Sequence, residues 1–117
     1  MTDKIETGDL GENLAADFLI SRGFKIVERK YRSRHAEIDL IVQRADWLVF
    51  VEVKTRSSNA WGEPESFVSN EKRRLIYKAA EDYIFRVNWQ GNIQFDVVSV
   101  KLCVPPEIVH FEDAITY

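Results

Sequence analysis

Three residues in the stretch AEIDLIVQRADWLVFVEVKTR, residues 36–56, could do chemistry: Asp39 in the first apolar run, and Glu52 and Lys54 at the end of the second. The stretch reads as two buried β-strands joined by a tight turn, and buried strands rarely carry charge. An unpaired buried charge costs several kcal/mol, and a lone acid neutralises rather than stay ionised. Either Glu52 and Lys54 satisfy each other as a structural ion pair, or something outside the sequence satisfies them. Side chains alternate faces along a strand. Leu48, Phe50, Glu52 and Lys54 therefore share one face, and Glu37, Asp39 and Ile41 share a face opposite Ile38, Leu40 and Val42. With an even-length loop, Ala45-Asp46 or Arg44–Trp47, position i pairs with 91 − i and Asp39 lies across from Glu52. Directly opposed residues have Cβ atoms ~4.5–5.5 Å apart, where two carboxylates repel unless a cation or proton lies between them. An odd loop without a bulge puts Asp39 on the other face. In the even register the two acids make a seat for Mg²⁺, which takes carboxylates, carbonyls and waters. Lys54 then reaches a bound water or a developing phosphate charge.

The elements that must position these groups follow from periodicity. Leu10, Leu14, Ala15, Phe18 and Leu19 recur at helical spacing from about Gly8 to Arg22, with Gly23 as a stop. Thr7 is the expected N-cap, with Asp9 and Glu12 in an acidic first turn. Glu12 borders the apolar arc beside Ala15, Ala16 and Leu19, so its carboxylate could look toward the sheet. FKIVERKYR, studded with Lys and Arg, reads as an edge strand. SSNAWGEPES, residues 57–66, is a loop by composition. A second helix runs from Ser69 as N-cap to about Val87, with the stripe Leu75, Ile76, Ala79, Ala80, Tyr83, Ile84 and Val87. Lys72 lies in its first turn and could face the same cleft. IQFDVVSVKL is a strand ended by Pro105-Pro106, and a short strand around Ile108–Phe111 closes the chain. The expected architecture is α/β, one mixed sheet between two main helices.

Length and composition bound the function. A chain of 117 residues, 45% apolar and 30% charged, fits one globular domain spanning 1–117. No apolar run approaches the ~20 residues of a membrane helix, and the polar, acidic N-terminus does not read as a signal peptide. The lone Cys103 excludes an internal disulfide and fits a reducing cytoplasm. A net charge of −3 argues mildly against a general nucleic-acid binder. The charge is uneven, however. Six bases (Arg22, Lys25, Arg29, Lys30, Arg32, Arg34) stand against one acid, Glu28, between positions 22 and 34, and Lys72, Arg73 and Arg74 form a second cluster. Arg29, Lys30, Arg32 and Arg34, with Lys72 and Arg73, are the candidates for phosphate contacts. A solvated surface is the alternative.

Asp39 followed by Glu52-Val53-Lys54 resembles the signature of the PD-(D/E)xK nuclease superfamily, an acid on one strand and Glu-x-Lys on the next. More narrowly, GENLAADFL (11–19), EIDLI (37–41), LVFVEVKTR (48–56), WGEPESFV (61–68), KRRLIYKAA (72–80) and FDVVSV (95–100) resemble, in order, the YraN-type family of small bacterial proteins related to Holliday-junction resolvases. A glycine is expected before Glu37-Ile38-Asp39, where this chain has Ala36. The resemblance implies a restriction-endonuclease-like fold and metal-dependent endonuclease activity on structured, branched DNA. It implies Mg²⁺ or Mn²⁺ held by Asp39, Glu52 and the Val53 carbonyl. It also implies a water-positioning Lys54, and Glu12 completing the acidic cluster. Lys72 matches a helix position only loosely associated with phosphate.

Other residues read more plainly. His35 could be a general base but suits a surface turn. Trp61 could stack on a base or wedge its loop onto the core. Asp96 reads as a sheet anchor, and Cys103 and His110 as structural. Two functions remain: a nuclease, or a binding module of the same fold that recruits partners at DNA without turnover. Symmetric junctions would suit a homodimer presenting two clefts.

Overall fold

The computed structural model describes residues 4–57 and 69–115, with residues 4–7 described in backbone only. Seven elements follow in order: α1 (Lys4–Ser21), β1 (Lys25–Arg32), β2 (Glu37–Arg44), β3 (Trp47–Ser57), α2 (Asn70–Val87), β4 (Asn92–Leu102) and β5 (Glu107–Phe111). The strands lie in the order β1-β2-β3-β4-β5, antiparallel throughout except for the parallel β3–β4 pair. A parallel pair needs a crossover, and α2 lies on the connection that supplies it. The architecture is an α/β fold with a five-stranded mixed sheet and two helices, compatible with a restriction-endonuclease-like fold.

The two faces of the sheet carry separate cores. Leu40, Val42, Val49, Val51, Val98 and Val100 pack with Ala15, Ala16 and Leu19 of α1. Ile41, Phe50, Phe95 and Val97 pack with Ile76, Ala79, Ala80 and Tyr83 of α2. Alternation along β3 and β4 thus feeds both helices, which explains why those strands read as nearly continuous apolar runs. At the far end of the sheet, the Asp46 carbonyl accepts from Asn92 N at 2.8 Å, tying the β2–β3 turn to the start of β4.

Helix α2 has the limits its sequence predicts. The Ser69 hydroxyl accepts from Lys72 N at 3.2 Å as N-cap, and Asn88 closes the other end in the left-handed conformation. Helix α1 corrects the sequence reading. It begins at Lys4, so Thr7 is an interior residue, not a cap, and Asp9 and Glu12 lie beyond the first turn. Leu10, expected on the buried stripe, is 49% exposed. The reason is Gly11. A Cβ there would stand 2.6 and 2.7 Å from Cγ2 and Cβ of Thr55 on β3. Glycine therefore lets the helix axis sit close on the strand, and the apolar face that begins at Gly11 leaves Leu10 outside.

The hairpin has the two-residue loop Ala45-Asp46, with Leu40 opposite Val51, Ile41 opposite Phe50 and Arg44 opposite Trp47. Each pair sums to 91, the even-loop register. Alternation in β2 then fails at one point. Ile38 packs in the α2-side core while Leu40 packs on the α1 side, so Ile38 does not share a face with Leu40 and Val42 as expected. The neighbouring strand switches at the same level. Arg29 pairs with Leu40 and Tyr31 with Ile38, and between them Lys30 has a φ of 49°. A non-glycine residue at positive φ is uncommon. Here it lets Arg29 reach α1 while Tyr31 stacks edge-on against Tyr83 of α2.

Candidate active site

The site forms where β2 parts from β3. Their paired register ends at Leu40–Val51, and the next residue of β2 substitutes its side chain for its backbone: Asp39 Oδ2 accepts from Val53 N at 2.7 Å. The same side chain makes a hydrogen bond with Glu52, so the two carboxylates meet as the even register requires. Burial, then the hydrogen bond and charge of Glu52, push the Asp39 carboxyl up to about 8. The Val53 N–H and the Lys72 charge pull the other way. A carboxyl raised that far keeps its proton at neutral pH, which relieves the repulsion from the neighbouring carboxylate.

Glu52, 7% exposed, lies on the α2 side behind Asp39, near Ile38 and Ile76. Lys72 Nζ reaches it at 3.4 Å from the first turn of α2, whose start Ser69 fixes. Lys54 lies beside Lys72, like charge against like charge. Burial first, then the Lys72 charge, lowers the Lys54 pKa, although Glu52 and Asp39 act to raise it. Burial alone would lower the Lys72 pKa as well, but Glu52 and the contact with Lys54 raise it.

On the α1 side a cleft of about 460 Å³ is lined by Glu12, Lys30, Asp39, Val53, Lys54 and Thr55, among others. Glu12, also 7% exposed, looks into it. Burial raises the Glu12 pKa, opposed by Lys30 and reinforced by the charge of Asp39. Lys30 Nζ lies 2.9 Å from Asp9 and 3.4 Å from Glu12. Three carboxylates therefore run in a row, Glu12, Asp39 and Glu52, with Lys54 near Asp39 and Glu52 and lining the cleft with Glu12.

The donors are oxygens alone, which suits a hard cation. Among the described residues no three His, Cys, Asp or Glu side chains gather closely enough to hold an ion by themselves. Mg²⁺ does not require such a cage: one or two carboxylates with waters and substrate phosphates suffice. The Asp39–Glu52 pair fits that pattern, since a divalent cation would relieve the repulsion that burial intensifies.

The remaining basic candidates are mostly engaged. Arg29 Nη1 donates to Asn13 Oδ1 at 3.0 Å, and Arg32 pairs with Glu37 at 2.7 Å. Arg34 is exposed in the β1–β2 turn, and Arg73 lies half-buried on α2. His35 faces Asp82 on α2 at 3.8 Å, and Trp61 lies outside the described residues. Ala36 packs against the α2-side core and exchanges hydrogen bonds with Ser33. It is not among the residues with positive φ, so this turn does not require glycine. Sequence reasoning did not foresee that Asp9 and Glu12 would hold Lys30. Only the basic side chain, not its backbone switch, was visible in the residue types.

Residues 11–100 match the model of the family described as Uncharacterised protein family UPF0102, and the chain belongs to that family. It is 45% identical to a UPF0102 protein of Cytophaga hutchinsonii over 84% of this chain and 87% of that one. It is 40% identical to UPF0102 protein FP2501 of Flavobacterium psychrophilum over 97% of both chains. A UPF0102 protein of Rhodococcus opacus is 39% identical, over 97% of this chain and 99% of its own. The matched span takes in Glu12, Asp39, Glu52, Lys54 and Lys72. No helix among the described residues is long and apolar enough to cross a membrane.

Proposed function

We propose that this protein is a metal-dependent endonuclease of the PD-(D/E)xK type that hydrolyses phosphodiester bonds in structured, branched DNA in the cytoplasm. The observation that carries the reading is the meeting of Asp39 and Glu52 at the parting of β2 and β3, with the Lys54 charge close enough to feel both. Mg²⁺ or Mn²⁺ bound there supplies a Lewis acid and an activated water. Asp39 and Glu52 hold the ion, and the Val53 carbonyl on the same strand adds a neutral donor. Lys54 orients the attacking water and faces the charge that builds on the phosphate. Glu12 completes the acidic wall of the cleft, and its low exposure keeps bulk water from that side. Lys72 steadies Glu52. Arg34, with Arg29, Lys30, Arg32 and Arg73 once their present partners yield, contacts phosphates and positions the backbone without reading sequence. A two-fold homodimer would present two such clefts to a symmetric junction.

The test is cleavage of labelled four-way, nicked and linear DNA with Mn²⁺, beside Glu52→Ala. The proposal expects strand scission of branched DNA by the parent and at least a hundredfold loss in the variant, on the scale of losing one electrostatic contributor (~10²–10³). Metal-dependent binding with no scission by the parent would instead identify a binding module of the same fold.

A further inference from the structure

The row of three carboxylates carries its own cations. Glu12 is held by Lys30 from β1 and Glu52 by Lys72 from α2, each at 3.4 Å, with Lys54 near Asp39 and Glu52. Both flanking carboxylates are nearly buried, whereas both flanking lysines are about half exposed: 51% for the Lys30 side chain and 40% for Lys72. The acids are fixed, and the ammonium groups that neutralise them are half exposed on flexible stems, Lys30 lining the cleft with Asp9 at 2.9 Å as a second, exposed partner and Lys72 in the first turn of α2. From the geometry we infer that Lys30 and Lys72 are displaceable internal counter-ions: a divalent cation evicts them from Glu12 and Glu52, and the freed ammonium groups then hold the phosphates of the incoming nucleic acid.

Charge arithmetic favours this exchange. With Asp39 ionised, Asp9, Glu12, Asp39 and Glu52 oppose Lys30, Lys54 and Lys72, four against three, so the cluster has no surplus positive charge to offer a phosphodiester. Adding a divalent cation leaves a surplus of one. That surplus is mobile because lysine is a compact charge on a four-carbon stem with rotatable donors. Lys30 is further aimed by its backbone, since the positive φ turns it toward α1 where a regular strand would not. Metal and nucleic acid then bind cooperatively although the two lysines ligate no metal. By linkage, each ligand raises the affinity for the other by the same factor.

This inference rests on the metal-binding reading above, so its test begins with metal alone. Calorimetry of Mn²⁺ binding to the parent, Lys72→Gln and Lys30→Gln should show about tenfold tighter binding in the Gln variants, within the usual range of coupling (roughly 5–150-fold). Lys72→Arg and Lys30→Arg, which keep the charge, should bind near the parent value. Affinity for a labelled four-way DNA junction, read by fluorescence anisotropy before turnover, should rise with Mn²⁺ in the parent, and that rise should shrink several-fold in the Gln variants. Melting curves identify any variant that has lost its fold, and the other lysine then decides. Unchanged or weaker Mn²⁺ binding in the folded Gln variants, with the parent binding normally, overturns the counter-ion exchange and leaves the metal reading standing. If the parent binds no Mn²⁺, both fall together.

Discussion

Asp39 and Asp96 are both acids within apolar strands of one sheet, and their surroundings differ in every respect that matters. Asp96 is fully buried on the α1 face, and its partners leave it no unmet demand. Its Oδ2 faces His110 Nε2 at 2.7 Å, and its Oδ1 accepts from Asp113 N at 2.8 Å and Gln94 Nε2 at 2.9 Å. The rings of Phe18 and Phe24 stand edge-on to His110, sealing the pair. Asp39 has one backbone N–H, a second carboxylate beside it and an open cleft in front. Buried polar groups are ordinarily satisfied by their own chain. An acid that is only partly satisfied, and beside a like charge, marks a place where a ligand is expected. The contrast separates an anchor from a site without appeal to resemblance.

Substitution should break the anchor and relax the site. Asp96→Ala strands the buried His110 ring among Phe18 and Phe24 and removes the acceptor of the Asp113 N–H, so it should cost about 3 kcal/mol, the upper part of the roughly 1–3 range for an unsatisfied buried group. Urea denaturation reads the loss, which added Mn²⁺ should not restore. A cost within experimental error would mean that the Asp96–His110 contact anchors nothing.

The middle and the C-terminal end of α1 serve the two acids in turn, Gly11-Glu12 beside Asp39 and Phe18 beside His110. Gly11→Ala should therefore cost about 2 kcal/mol, within the ~1–3 range for overpacking, because its Cβ would overlap Thr55. It should also weaken Mn²⁺ binding by shifting Glu12. Gly8 has nothing within 4 Å of its Cβ position, so Gly8→Ala should instead stabilise the helix by ~0.5–1 kcal/mol. Equal melting temperatures for the two variants would refute the close approach of α1 to β3.

The smallest effect is a matter of sign. In the unfolded chain an aspartate titrates near 3.9, and in the fold Asp39 is raised to about 8. The folded state binds that proton more tightly, so the contribution of Asp39 to stability is complete below about pH 4. It declines as pH rises and is lost above about pH 8. Asp39→Asn should flatten the metal-free stability profile across that window. At the alkaline end it should exceed the parent by about 1 kcal/mol or more, since even a tenfold change in proton affinity is worth ~1.4 kcal/mol. A parent profile that climbs steadily from pH 5 to 8, with the variant parallel to it, would contradict the crowding of Asp39 against Glu52.

Much of this was legible in residue order, for identifiable reasons. Parity narrowed the hairpin to two registers, and the two-residue loop Ala45-Asp46 selects the even one. Ser69 and the α2 stripe fixed that helix at both ends, and Asp96 was readable as an anchor. The start of α1 was not legible: the cap chemistry of Thr7 competes with packing, and packing of Gly11 on Thr55 sets the helix. The coordinated switch at Lys30 and Asp39 was also hidden, since a positive φ at lysine has no signature in residue type. That switch directs Lys30 toward Glu12 and leaves Ile38 with α2. It is thus the feature that most shapes the site and the one periodicity could least anticipate.

The most direct measurement of the central claim is Mn²⁺ titration calorimetry on the parent protein, Glu52→Ala and Asp96→Asn under one buffer condition. The parent should bind with proton release as Asp39 gives up its proton. Glu52→Ala should lose at least tenfold in affinity, ~1.4 kcal/mol, while folded Asp96→Asn binds as the parent does. Equal binding by the parent and Glu52→Ala, or no heat from the parent at millimolar metal, would contradict the assignment of Asp39 and Glu52 as a metal site.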